Sequence, residues 1–203
     1  MKKQSGFSMV EMLVAILVFS LGLLGVAGLQ AATAKYKINT QANAAVGQIF
    51  LDFTERVRVN PTAAGTSYDP TSAELPSVYE LKSTWIKQVS ADLNISKECS
   101  ENECSANERA VYDMLVWRKK VKDDLPQGAA FVTGDRKKGF DVTIMWMDKE
   151  FTENKVNGDN LEKKLTKAAV CSGGDDELIV HNCCPEGAEV PAGVRCLRMS
   201  FLP

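Results

Sequence analysis

The chain has 203 residues, one histidine, six cysteines and a formal charge of −2 from 24 basic and 26 acidic side chains. That length supports one folded domain beyond any anchor, and the balanced charge, with no basic stripe, argues against a nucleic-acid partner. One histidine without triad or metal-type spacing, and no Gly-rich phosphate loop, leave no catalytic constellation, so neither an enzyme nor a cofactor or metal is expected.

The first element is a short leader, residues 1–6, that carries Lys2 and Lys3 and ends on Gly6. An apolar run from Phe7 to Leu29 follows, long enough to cross a bilayer as a helix, for which roughly 20 residues suffice. One acid, Glu11, interrupts it near its start. An ordinary secretory signal is shorter and has its small-residue cleavage site behind the apolar run. Here the small residue stands in front, so a cut after Gly6 leaves the helix on the product. Lys2 and Lys3 stay cytoplasmic under the positive-inside tendency, which puts the rest of the chain across the membrane. All six cysteines lie in that translocated part, and an even count in an oxidising compartment reads as disulfides. Gly22, Gly25 and Gly28 punctuate the apolar run, either for close packing between membrane helices or as a segment weak enough to stretch.

The helix is predicted to continue over residues 30–60 as an amphipathic half. Ala42, Val46, Ile49, Phe53 and Val57 recur at steps of three and four on one face, and Asn60-Pro61 ends it. Residues 61–203 form the head. A loop rich in Pro, Gly, Ser and Thr runs through Ser77, and apolar spacing predicts a helix over Val78–Leu93. Ser105 and Glu108 match a capping box opening a helix with Ala110, Met114, Trp117, Val121 and Leu125 on one face. Ala129–Thr133 reads as a strand, Gly134–Gly139 as a turn and Phe140–Trp146 as a half-buried strand, since Asp141, Thr143 and Met145 alternate with apolar residues. The segment Asp148–Pro191 reads as mostly loop, with a short helix at Leu161–Ala169. A last strand spans Val194–Leu202, with Leu197, Met199 and Phe201 on one face. A long helix followed by antiparallel strands is the order of an α+β fold.

Six cysteines permit many pairings. Cys99 and Cys104 are close enough to close a small loop. Cys183 and Cys184 are adjacent, and a bond between them would strain the peptide. This leaves Cys171 with one of the pair and Cys196 with the other. Those four lack the short Cys-x2–4-Cys spacing usual for zinc.

The stretch Gly6-Phe7-Ser8-Met9-Val10-Glu11-Met12-Leu13 at the edge of the apolar run resembles the class III signal of type IV pilins and secretion pseudopilins. The resemblance implies a type IV pilin fold: a helix with a membrane half, 7–29, and an amphipathic half, 30–60, packed on an antiparallel sheet head. It implies that a prepilin peptidase cuts between Gly6 and Phe7 and methylates the Phe7 amine, and that Glu11 pairs with the new terminus of a neighbouring subunit. Leu24-Gly25-Val26-Ala27-Gly28-Leu29-Gln30, Arg56-Val57-Arg58-Val59-Asn60-Pro61, Leu125-Pro126-Gln127-Gly128 and Trp146-Met147-Asp148 are similar to the PilV-type minor pilins. That likeness implies a single-pass inner-membrane protein with a periplasmic head, later built into an extracellular pilus beside other minor pilins and the major pilin. A minor pseudopilin of a type II secretion system shares every N-terminal feature, and an adhesive or DNA-uptake subunit would place its ligand site between Cys171 and Cys196.

Overall fold

The structure, a computed structural model, describes residues 8–65, 76–157, 160–172 and 177–203. It divides into two units, Met1–Gln41 and Ala42–Pro203. The first holds most of helix α1 (Met9–Val59). Its part from Met9 to Ala34 is long and apolar enough to cross a membrane, with none of it buried in the chain's own fold. The helix runs without a break through Gly22, Gly25 and Gly28, where an added Cβ would meet nothing within 4 Å.

In the second unit the amphipathic stripe does what its period dictates. Ala42, Val46, Ile49, Phe53 and Val57 are all buried. Phe53 is the hub: its ring lies 4.7 Å from that of Trp117, 6.2 Å edge-on to Tyr79, 6.2 Å from Phe140 and 5.9 Å from Phe201, within the range in which offset and edge-to-face pairs attract. Trp117 sits on α3 (Ala106–Asp124) and donates its indole N–H to the Ile49 carbonyl at 2.9 Å, so its one polar atom is satisfied inside the core. α3 opens on the reciprocal Ser105–Glu108 capping box and closes at Leu125 ahead of Pro126. Gly128 follows because the chain doubles back on that helix end: a Cβ there would stand 2.0 Å from the Val121 carbonyl oxygen.

Three antiparallel strands, β1 (Ala129–Asp135), β2 (Gly139–Met147) and β5 (Val194–Phe201), form a sheet in the order β1-β2-β5. Register pairs Ala129 with Met145, Phe140 with Phe201 and Met147 with Val194. Phe140, Val142, Ile144 and Trp146 face the α1–α3 layer, with Leu197, Met199 and Phe201 beside them. The free edge of β1 is closed by two substitutes for a strand. Leu81 exchanges backbone hydrogen bonds with Val132 at 2.9 and 3.0 Å, and the Gln88 carboxamide bonds both the N–H and the C=O of Ala130. Covering an edge in this way removes a template for unwanted pairing.

Three predicted elements are corrected. The helix expected over Val78–Leu93 shrinks to α2, Trp85–Ser90. The stretch before it is held out of a helix by a turn at Val78–Tyr79, by the Leu81 bridge and by Tyr79, which is fully buried in the main core. The strand expected to be half-buried is covered on both faces, with Thr143 at 2 % and Met145 at 0 % exposure. A second cluster packs there: Trp85, Ala168, Cys184, Ala188, Val190 and Val194 around Met145. That cover comes largely from Asp148–Pro191, expected to be mostly loop. It contains a hairpin of β3 (Thr152–Asn157) and β4 (Asn160–Leu165), a short helix α4 (Glu177–Asn182) and a 3-10 turn Glu186–Ala188. Residues from Leu161 to Leu165 are therefore strand, because they pair in register with β3.

Candidate functional site

The sequence places its chemistry at the start of α1. Gly6 and Phe7 lie outside the described residues. Glu11, four residues past Phe7, is described, and its surroundings contain a partner that the sequence reading missed. The Ser8 backbone N–H donates to the Glu11 carboxylate at 2.9 Å, and the Glu11 N–H donates to the Ser8 hydroxyl at 3.3 Å. This is a capping box on the first turn of a membrane-length helix, where orphan N–H groups would otherwise face an apolar surrounding. The signal was present as the spacing Ser8-x-x-Glu11, the same as Ser105-x-x-Glu108. A carboxylate at a helix N-terminus also complements the helix dipole. Glu11 thus has a local partner in Ser8.

The six cysteines are all bonded: Cys99 to Cys104, Cys171 to Cys183, and Cys184 to Cys196. The first closes a small acidic loop ahead of α3. The other two tie the 148–191 segment to itself and to β5, with Cys183 and Cys184 fully buried. Among the described residues no group of three His, Cys, Asp or Glu side chains could hold a metal ion. His181 is exposed on α4, its Nδ1 3.2 Å from the Arg198 carbonyl oxygen.

Where α1 ends on the head, a charged network pins it. Arg56 reaches Asp52 at 3.2 Å and Asp113 of α3 at 3.1 Å, the Tyr79 hydroxyl donates to the Arg56 carbonyl, and Asn60 donates to the Ala106 carbonyl at 2.7 Å. Burial pushes the Asp113 carboxyl up despite Arg56, and burial pushes Tyr79 up to about 12. These groups hold two helices together.

Residues 1–27 match the prokaryotic N-terminal methylation motif. That motif, the long N-terminal helix and the antiparallel sheet are together type-IV-pilin-like. No curated protein and no solved structure matches it. The stretch of α1 from Met9 to Ala34 is exposed and apolar, with Glu11 as the acid in its first turn.

Proposed function

We propose that this protein is a minor pilin of the PilV type, a structural subunit that initiates or modifies type IV pilus assembly after a prepilin peptidase cuts at Gly6–Phe7 and methylates Phe7. The observation that carries the reading is the methylation motif over residues 1–27, set directly on an apolar helix that continues into a folded head. The protein waits in the inner membrane with its head in the periplasm and then joins other minor pilins and the major pilin. Disulfides in the head fit an oxidising compartment. Glu11 leaves its Ser8 partner, or shares it, to neutralise the methylated terminus of a neighbour. Such a pair sets register more than it adds net stability.

Two readouts test this. Glu11→Ala or Glu11→Val should leave the protein in the membrane and abolish its recovery in sheared filaments; normal incorporation of either variant ends the role given to Glu11. Deleting the gene should reduce piliation and twitching and leave type II secretion intact. Loss of secretion with normal pili would replace the pilus reading with a minor pseudopilin.

A further inference from the structure

Between α2 and α3 the chain passes through an irregular stretch, 91–98. Leu93 and Ile95 are half-buried there, while Asp92, Asn94 and Ser96 are exposed. This is the alternation of an extended backbone, in which successive side chains point to opposite sides: the apolar pair ties the stretch to the head and the polar trio is displayed. Asn94-Ile95-Ser96 is an Asn-x-Ser triplet whose middle residue is not proline, the pattern that accepts N-linked saccharides on exposed loops of exported proteins. The other triplet of this form, Asn60-Pro61-Thr62, is disqualified by its proline.

We propose that Asn94 is a glycosylation site, modified outside the cytoplasm by an oligosaccharide transferase that draws on a lipid-linked saccharyl diphosphate. The Asn94 amide nitrogen donates to the Asp92 carboxylate at 2.9 Å, so the acceptor atom sits beside an acidic side chain two residues upstream, and the exposed Ser96 lies two residues downstream. In the transfer, Nδ2 forms a bond to the anomeric carbon. The bond from that carbon to the diphosphate oxygen breaks, the diphosphate leaves with the electron pair, and the Nδ2 proton passes to a base of the transferase. No backbone pairing has to be undone to present the site, because residues 91–98 belong to no helix or strand. The product is a saccharide standing on the head at the α2–α3 connection, where it adds bulk and hydration to whatever that face meets.

The proposal rests on the extracytoplasmic placement of the head, and the test reads the two separately. The full chain is purified from its native cells and digested with trypsin without reduction. Cleavage after Lys87 and Lys97 releases Gln88–Lys97, which should carry a saccharide mass whose fragments assign it to Asn94. Asn94→Gln and Ser96→Ala should each lose the added mass, Ser96→Thr should retain it, and Asp92→Asn should lower its occupancy. An unmodified Gln88–Lys97 peptide in a preparation whose Glu98–Arg109 peptide has the mass of the intact Cys99–Cys104 disulfide overturns the glycan and leaves the placement standing. Free thiols at those cysteines overturn the placement and with it the proposal. A saccharide that survives Asn94→Gln overturns the assignment to this residue.

Discussion

Glu11 and Glu108 each stand three positions after a serine and close the same reciprocal hydrogen bonds, and Glu108 has a cation beside it as well. Lys97 approaches its carboxylate at 2.9 Å. That contact first, and the Ser105 N–H second, hold the Glu108 carboxyl down at about 2 against an ordinary 4.5. An acid whose value is lowered by folding stabilises the fold above its unfolded value, and that contribution fades as pH falls toward the folded one. Glu108→Gln, which keeps an N3 side chain able to cap, should therefore melt below the wild type at pH 6 to 7. The gap should narrow below about pH 4.5 and close near pH 2. Thermal melts of both proteins across that range check it; a gap that stays constant would mean that the charge on Glu108 contributes nothing. At this scale local spacing was legible in principle but only partly read: the Ser8–Glu11 box has the same spacing as Ser105–Glu108 and was missed. The Ser105 box could be read from spacing, whereas the Arg56–Asp113 pair, 57 residues apart in sequence, left no local trace.

Among the elements, those whose pattern is set by one dominant burial face were legible. The Ala42–Val57 stripe, the Trp117 face of α3, and strands β1, β2 and β5 all follow from period and cap. The misread elements were those answering to a second layer. Val78–Leu93 has helical spacing, yet the Leu81 bridge and the burial of Tyr79 outweigh a weak propensity. The β3–β4 hairpin has polar strands with little alternation to detect. The second layer depends on its cross-links. Cys184–Cys196, with a sequence separation of 12, limits the unfolded chain by an amount worth about 2–4 kcal/mol in the entropic account. Replacing both with alanine should lower stability by about that much. In limited proteolysis, cleavage should then appear first within residues 148–191, while fragments holding α3, β1 and β2 persist. Uniform loss of the whole head at once would show that the two layers fold as one cooperative unit.

For the whole molecule, the unit boundary between Gln41 and Ala42 falls inside one continuous helix, so the foldable part of the chain is not delimited by secondary structure. The second unit takes Ala42, Val46, Ile49, Phe53 and Val57 as core residues, and Phe53 alone touches four other aromatic rings. Losing one buried aromatic ring costs about 3–5 kcal/mol, and a domain of this size has only about 5–15 kcal/mol in all. Removing the whole stripe therefore exceeds what the head can lose. From Met9 to Ala34, by contrast, the helix buries nothing within the chain. A protein beginning at Gln30 should be soluble without detergent, show one cooperative thermal transition and form the same three disulfides. A protein beginning at Pro61 should show no cooperative transition and expose its apolar sheet face to a hydrophobic dye. If the Pro61 form folds, α1 is a carried anchor and the head is complete without it; if the Gln30 form fails, the membrane half contributes to folding in a way its exposure does not account for.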